Sequence, residues 1–436
     1  MVAQQRHANS TRVGKPQRMT SKWFALAGIL ASTASPVLAQ GPAATFDILG
    51  VVDARLILSD DTKSWEEEGL GKTRWGGDAN GDSRVIGRIA EASLIAVSRL
   101  TWDWTGVVHV KVDSQQEHPI DVVEAFLRYK PVPTSEYKWE AKFGAFFPPI
   151  SLENKAIAWT SPYTISSSAI NSWVGEELKT IGGEVKVSRE FEDFELSLTG
   201  SAFLANDPAG TLLAWRGWAI HDREAGLFDR LPLAPIRAIE PGGSVERQAR
   251  WVEPFHQIDN RIGAYAGLNI DHHALGSFSV LYYDNQSFDR AFDGFQYAWD
   301  TYFASAGYEN TLPGGVKLIS QVMAGNTSMG TRPLLGSKVD NDFWSAFVLL
   351  SKNFSGHRFS LRYDHFEVAD DDFTPDDLNQ ENGNAITAAY VVRPFDKQRL
   401  TLEVLHINSK RAERQFLNWP VTAKETILQA SYRFFL

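Results

Sequence analysis

Several short polar runs have the residue types that phosphate or calcium binding requires. Gly71-Lys72-Thr73 matches the end of a phosphate-binding loop, but the first glycine of such a loop falls at position 66, which is Glu66. Asp78-Ala-Asn80-Gly-Asp82 spaces oxygen ligands like the start of a calcium loop, although Ser83 and Ile89 replace the usual Gly and bidentate Glu. The nucleotide interpretation is therefore disfavoured, and a turn is favoured over a calcium site at 78–82.

Hydrolytic chemistry has equally little support. His221-Asp222 and Asp364-His365 are adjacent pairs, but the chain has no Gly-x-Ser-x-Gly and no His-Glu-x-x-His motif. The absence of Cys excludes disulfides, Cys-ligated zinc, iron–sulfur clusters and Cys nucleophiles. The sequence predicts no catalytic residue, no metal site and no cofactor.

The overall composition suggests a soluble protein of two or three domains. The chain has 436 residues, of which 43% are hydrophobic, 12% aromatic and 22% charged, and its mean hydropathy is −0.24. The formal charge of −10 disfavours nucleic acid as a partner, because nucleic-acid-binding domains are basic. The elements that position the polar residues lead to a different interpretation.

Residues 1–39 have the pattern of a secretory signal peptide. Five basic residues precede an apolar run from Trp23 to Ala31, and Ser35-Pro-Val-Leu-Ala39 resembles a cleavage site. Removing these 39 of 436 residues leaves 397 with a formal charge of −15. Met19 alone would begin a leader of ordinary size, so the true start stays open. No later stretch approaches the about 18 apolar residues of a membrane-spanning helix.

The rest of the chain alternates apolar and polar residues, which is typical of β-strands with two different faces. The alternation is clearest in Leu100–Val112, where His109 and Lys111 lie between valines. It predicts about sixteen strands, centred on 46–58, 85–97, 100–112, 122–130, 136–147, 178–188, 194–205, 258–270, 276–284, 296–308, 316–325, 342–352, 357–368, 385–393, 398–408 and 424–436.

Loop lengths alternate as well. The predicted connections after even-numbered strands are short, whereas most of those after odd-numbered strands are long, notably 148–177 and 206–257. Short periplasmic turns and long extracellular loops are typical of an outer-membrane β-barrel, and a soluble sandwich has no reason to separate them. The final strand agrees, because Leu428, Tyr432 and Phe434 share one apolar face. We therefore predict an all-β, transmembrane antiparallel barrel over residues 40–436.

A wall of about sixteen strands encloses an aqueous lumen, and the inward-facing parity predicts the residues that line it. Among these residues, a role in wall-stabilising ion pairs is favoured over a role in substrate choice. The four cations at positions 128, 130, 138 and 142 come from neighbouring strands and predict one basic patch near the periplasmic end. The pore-lining candidates are His109, Lys111, Glu124, Arg128, Lys130, Lys138, Glu140, Lys142, Arg261, Lys317, Arg362 and Arg433.

Aromatic residues of the opposite parity are candidates for the lipid face and its interfacial girdles. They are Trp102, Trp139, Trp299, Trp344, Tyr129, Tyr282 and Phe347.

The two longest loops have distinct compositions. Loop 148–177 is apolar for a solvated loop, which predicts that it folds into the lumen as a constriction, with an external latch or subunit contact as the alternative. Loop 206–257 carries six arginines and is a lid, a lipopolysaccharide-facing rim or a subunit contact. The constriction candidates are Ser151, Glu153, Lys155, Trp159, Tyr163 and Trp173.

One segment resembles a known family. Phe143-Gly-Ala-Phe-Phe-Pro-Pro-Ile-Ser-Leu-Glu153, followed by Thr160-Ser-Pro-Tyr-Thr-Ile165, is similar to the phosphate-selective porins of Gram-negative bacteria over about 25 residues. The resemblance implies a sixteen-stranded, trimeric, general or anion-preferring channel. That family carries Arg soon after the Tyr, whereas Ser166–Val174 contains no Arg or Lys. The architecture is carried over, and the phosphate specificity is not.

These observations together predict an outer-membrane porin, a passive channel for small polar solutes or ions. Its expected partners are outer-membrane lipid, lipopolysaccharide and two further copies in a homotrimer. The formal charge of −15 predicts weak cation preference or none. The alternatives are an adhesin or assembly platform that uses loop 206–257 and, less favoured, an outer-membrane hydrolase.

Overall fold

The structure, a computed structural model, describes residues 45–331 and 336–436. The predicted signal peptide at 1–39 lies outside these residues. Within them, sixteen antiparallel strands form a closed barrel in which each strand pairs with its neighbours in the chain. Two further pairs of two-residue strands, 231–232 with 251–252 and 292–293 with 296–297, lie in the loops.

The barrel strands are numbered here in chain order. They are β1 (Thr45–Leu58), β2 (Val85–Arg99), β3 (Trp104–Val112), β4 (Ile120–Tyr129), β5 (Tyr137–Phe146), β6 (Thr180–Glu190), β7 (Phe194–Leu204), β8 (Gly263–His272), β9 (Gly276–Asp284), β10 (Asp300–Leu312), β11 (Val316–Met329), β12 (Val339–Phe354), β13 (His357–Asp370), β14 (Glu381–Val392), β15 (Gln398–Arg411) and β16 (Thr422–Phe435).

The barrel closes between its first and last strands. Asp53 of β1 is directly opposite Arg433 of β16, and Val52 is opposite Phe434. Closure leaves no unpaired sheet edge, which hydrocarbon could not tolerate because it offers backbone groups no hydrogen-bond partner.

The predicted fold class is confirmed, and all sixteen predicted strands overlap the observed ones. Turns such as 191–193, 273–275 and 355–356 are short, whereas the connections 59–84, 147–179 and 205–262 are long. Three predicted strands begin too early, because β3 starts at Trp104 and not at 100, β8 starts at Gly263 and not at 258, and β10 starts at Asp300 and not at 296.

The outer surface carries the apolar face of the alternation. On β12, Trp344, Val348 and Leu350 are exposed, whereas Phe343 and Phe347, on the opposite face of the strand, are buried inside. The girdle prediction is therefore wrong for Phe347, and also for Trp299, which precedes β10 and is fully buried. Trp102, Trp139 and Tyr282 are exposed as expected, as is Trp344.

None of the helices among the described residues is long and apolar enough to cross a membrane.

Candidate lumenal site

The connection between β5 and β6 lies inside the barrel. It contains the helix α1 (Ala169–Glu177), capped by the Ser168 hydroxyl, and all nine helical residues are buried. Trp173 of α1 packs edge-on against Phe303 of β10 and Phe343 of β12, with ring centroids 5.4 and 5.5 Å apart. The helix is thus held by the apolar inner faces of the far wall.

Charged side chains of the wall anchor the same loop. Arg362 of β13 donates to Asp364 at 2.8 Å, to Glu153 of the loop at 3.2 Å and to the Ser166 carbonyl at 2.6 Å. All three charged side chains are fully buried. We call Arg362, Glu153 and Asp364 the anchor cluster. Arg362, predicted to line a water-filled pore, instead lies beneath the loop.

The middle of the loop, at Ala158 and Trp159, has an unusual backbone. Ala158 and Trp159 both have positive φ, 56° and 49°, in the left-handed region that non-glycine residues rarely adopt. The Trp159 ring stacks on Phe147 with centroids 4.4 Å apart. A Cβ at Gly175 would lie 3.0 Å from that ring, so α1 closes over it from the other side. Packing therefore stabilises a conformation that the local sequence disfavours.

The connection between β7 and β8 also enters the barrel. Every residue from 206 to 221 is buried, including the short helix α2 (Thr211–Trp215). Its start is joined to the end of α1, because the Glu177 carboxylate accepts the backbone N–H groups of Gly210 at 3.2 Å and Leu212 at 2.9 Å. The sequence offered a lid, a lipopolysaccharide-facing rim or a subunit contact for loop 206–257, whereas its first half lies in the lumen, a position that was not predicted.

Two adjacent glutamates at this junction, Glu176 and Glu177, have pKa values that are shifted in opposite directions. Burial raises the pKa of Glu177 to about 7, although the Leu212 N–H and the Trp173 ring N–H oppose the shift. Burial also disfavours the charge of Glu176, but Arg216 and His221 outweigh it and lower the pKa of Glu176 to about 2. Arg216 lies 2.7 Å from Glu176, and the His221 ring lies 3.0 Å from it.

A third segment, 59–84, completes the filling of the lumen. Arg74 pairs with Asp113 at 2.6 Å and with Glu66 at 3.0 Å, and Glu66 also pairs with Arg223 of the second segment at 2.7 Å. Lys72 donates to Glu381 of β14 at 2.7 Å. Three connections distant in the chain are thereby joined to one another and to the wall.

The motif-like runs have structural explanations. Asp78 accepts the backbone N–H groups of Asn80 and Asp82 at 2.8 and 3.0 Å, which is a turn. Lys72 of the Gly71-Lys72-Thr73 run is engaged by Glu381. In the described part of the chain, no three His, Cys, Asp or Glu residues are grouped so that they could hold a metal ion.

Open space remains on one side of the lumen. Two cavities of about 300 and 250 Å³ share Glu140 and Lys186 in their linings and together form what we call the vestibule. The larger is bordered by β5–β10 and by loop residues 149–152 and 155. The smaller reaches Lys130 in the turn between β4 and β5, at the end of the barrel that carries the short turns.

The vestibule is lined by alternating charges. Arg128 donates to Glu140 at 3.0 Å, and Lys142 lies 2.9 Å from Glu184. Lys138 lies 3.2 Å from Glu190 and 3.4 Å from Glu195. Lys155 of the loop pairs with Glu309, which also binds Lys317.

Two vestibule cations differ from the rest. Lys130 and Lys186 have no carboxylate within ion-pair distance among residues 45–331 and 336–436. Three cations of the predicted basic patch, Arg128, Lys138 and Lys142, therefore form ion pairs, Lys130 does not, and Lys186 is an additional cation that the prediction did not include.

The remaining predicted residues lie in different surroundings. His109 and Lys111 of β3 and Arg433 of β16 are buried beneath the loops, and Glu124 accepts the Phe147 N–H at 3.0 Å. The prediction that Arg261 lines the pore is wrong, because Arg261 precedes β8 in the extracellular loop and its side chain is about half exposed.

Among the constriction candidates, Ser151 and Lys155 border the vestibule, whereas Glu153 and Trp173 are fully buried. Tyr163 lies under the Arg358 guanidinium at 4.9 Å.

Sequence reasoning missed the apolar inner wall. Phe303, Phe343 and Phe366 face inward and pack against α1 and Trp218, all in one buried cluster. Their signal was present: Phe343, Phe347 and Leu349 are apolar on the face that a water-filled barrel would make polar. A strand apolar on both faces indicates that something other than water contacts its inner side.

Solved structures share this fold. The outer membrane channel DcaP of Acinetobacter baumannii aligns with a TM-score of 0.54 at 10% identity over 90% of this chain and 97% of that one. OmpTΔL8, the loop L8 deletion mutant of an outer membrane protein of Vibrio cholerae, aligns with a TM-score of 0.52 at 10% identity over 90% of this chain and 100% of that one. The chain therefore has the fold of a sixteen-stranded outer-membrane β-barrel.

Sequence comparisons add no closer relationship: no family model matches the chain, and no curated protein does. The resemblance to phosphate-selective porins stays a prediction.

Proposed function

We propose that the protein is an outer-membrane channel for the passive diffusion of small polar or ionic solutes. The observation that carries the proposal is the vestibule, a charged cavity inside a closed barrel, bordered by a loop that folds inward. Fixed cations and carboxylates alternate along its wall, so that a solute exchanges hydration for successive weak contacts and does not remain bound. No covalent step or cofactor is required.

The inward segments determine how wide the path is. The segments 147–179, 205–262 and 59–84 bury apolar and charged side chains across much of the lumen. We therefore expect a single-channel conductance well below that of an unobstructed sixteen-stranded barrel, and selection by solute size at Ser151 and Lys155.

The local charge suggests a different ion preference from the total charge. The vestibule lining includes six cations and three carboxylates: Arg128, Lys130, Lys138, Lys142, Lys155 and Lys186 against Glu140, Glu184 and Glu195. When Glu190, Glu309 and Lys317, which pair with these residues or with one another, are included, two cations are in excess. Solutes experience the charges within about one Debye length, roughly 8 Å at physiological salt, and not the sum over the chain. We expect a weak anion preference in place of the weak cation preference predicted from the formal charge.

The assembly is part of the same proposal. An apolar depression of about 790 Å³ lies on the outer wall and includes Leu56, Leu361, Leu402 and Leu428. We propose that this wall faces either lipid or another copy in a homotrimer, and that lipopolysaccharide surrounds the extracellular rim.

Planar-bilayer recording tests the function. The purified protein should insert in steps with an ohmic current, and its reversal potential in a potassium chloride gradient should indicate weak anion preference. Lys186→Glu should move that potential toward cations. Lys424→Glu makes the same charge change on an exposed side chain of β16 and should leave it unchanged. Insertion without any current steps would contradict the channel and favour a binding or assembly role.

A further inference from the structure

Two arginines face each other where the barrel closes. Arg399, the second residue of β15, is directly opposite Arg433 of β16 in the strand register. Both are on the inner wall close to the turn 393–397, and they are only 2% and 1% exposed. Like charges directly opposite on neighbouring strands repel each other, and burial strengthens the repulsion.

The nearby carboxylates contact Arg433 and not Arg399, and Arg55, which shares Asp53 with Arg433, also pairs with Asp222 at 2.6 Å. Asp53 accepts Arg433 Nε at 2.7 Å, but it is shared with Arg55 Nη2 at 2.5 Å and with the Ser431 hydroxyl at 2.6 Å. In the described residues, Arg399 has no carboxylate within ion-pair distance, and its guanidinium lies 5.5 Å from the Phe435 ring.

Three donor nitrogens at this place have no protein partner. They are Arg433 Nη1, Arg433 Nη2 and Arg399 Nε, all buried. A guanidinium keeps its charge in proteins, and buried donors are almost always satisfied by something. Glu91, opposite Asp53 on β2, accepts the Ser93 hydroxyl and forms no ion pair with either arginine.

We propose that a small oxyanion binds between Arg399 and Arg433 and stabilises the seam that closes the barrel. Carboxylate, phosphate and sulfate share the required chemistry, because their oxygens accept charge-assisted hydrogen bonds from guanidinium groups. The site is separate from the vestibule, which is bordered by β4–β10, and it does not depend on the proposed channel function.

Anion-dependent stability provides the first test. The thermal midpoint of the detergent-folded protein is measured while inorganic phosphate, sulfate or acetate is titrated at constant ionic strength set with sodium chloride. A bound anion should raise the midpoint along a saturating curve, by about 3 °C. A general salt effect would instead rise without saturation. The three anions distinguish tetrahedral from carboxylate ligands.

Variants separate the site from general electrostatics. Arg399→Gln removes the unpaired charge, so it should fold, show no saturating response and be at least as stable as the wild type when phosphate, sulfate and acetate are absent. Arg399→Lys keeps the charge but not the planar guanidinium, so it should raise the half-saturating anion concentration about tenfold. Arg189→Gln, a half-exposed arginine paired with Glu136 at the same end of the barrel, should respond like the wild type.

Crystals soaked in selenate provide the location. An anomalous peak within hydrogen-bond distance of Arg433 Nη1 and Nη2 would support the site. This test also covers an anion that binds so tightly that titration produces no further change in the thermal midpoint. No such peak together with no saturating response would overturn the proposal and leave water as the partner of these donors. An equal response in Arg399→Gln would overturn it too.

Discussion

The vestibule and the anchor cluster consist of the same residue types on the same face of the same barrel, yet they differ in environment. The Arg128 and Glu140 side chains are 39% and 17% exposed, whereas those of Arg362 and Glu153 are fully buried. A side chain that alternation places on the inner face of the barrel can therefore line a pore, but it does not have to. Whether a lumenal charge contacts water or holds a loop is decided by which parts of the lumen the loops occupy.

The largest expected difference comes from removing one arginine in each region. Arg362→Met leaves Glu153 and Asp364 buried without a counter-charge, which should lower the free energy of unfolding by about 3–5 kcal/mol. Arg128→Met breaks an ion pair that water screens and should lower it by at most about 1 kcal/mol. Urea midpoints of the two variants, measured in the same detergent, compare them. Equal losses would contradict the distinction between the regions.

Removing the ring at the centre of the filled region should have an effect of similar size. Trp173→Ala deletes a side chain packed on Phe303 and Phe343, with an expected loss of about 3–5 kcal/mol. It should also increase the current noise of single channels, because α1 loses its main apolar contact. Phe373→Ala, at a position that is 99% exposed in the connection between β13 and β14, is the control and should change neither quantity.

The junction between the two inward loops should respond to pH in two opposite directions. The pKa of Glu177 is raised from 4.5 to about 7 in the folded state, so its protonated form stabilises the fold. That contribution, at most about 3 kcal/mol, is complete below pH 4.5 and is lost as the pH rises to 7.

The pKa of Glu176 is lowered to about 2, so its contribution is present above pH 4.5 and is lost as the pH falls toward 2. Urea midpoints of Glu177→Gln and Glu176→Gln across both ranges should each lose one of the two slopes. A variant that keeps the slope of its own group would show that another residue titrates there.

The smallest expected effect concerns salt. The shift of the reversal potential caused by Lys186→Glu should shrink toward zero as the potassium chloride concentration approaches about 1 M, where the Debye length is about 3 Å. The anchor cluster, shielded from ions, should keep its stabilising effect at the same salt. The Arg362→Met loss measured at low and high salt checks this, and a loss that disappears at high salt would place Arg362 in contact with water.

Strand number, approximate strand positions and the antiparallel closed fold could be predicted from the sequence, because period-two alternation and loop-length parity are local signals. The burial of Glu153 in the anchor cluster could not be predicted, because its partner Arg362 is 209 residues away in the chain. The errors at Arg261 and Trp299 have one cause: the alternating pattern begins several residues before β8 and β10 do, so both residues were assigned to strands that start after them. Phe347 was assigned to lipid because an apolar residue was expected to face only outward.

Trimer formation stays a prediction, because it depends on contacts between copies of the chain. The entry of loop 148–177 into the lumen was foreseeable from its apolar composition. The entry of segment 206–225 was not foreseeable, because its arginines predicted exposure to water. In the structure, Glu176, Glu66 and Asp229 neutralise these arginines inside the lumen.

The left-handed pair at Ala158 and Trp159 has a consequence for the order of assembly. These residues adopt a conformation that costs of order 1 kcal/mol each and is held only by Phe147, α1 and the surrounding wall. Segment 147–179 precedes β13 and β15 in the chain, and both strands supply its anchors. The loop can therefore reach its final shape only after those strands have joined the wall, so the lumen is filled late, and until then its buried charges are hydrated.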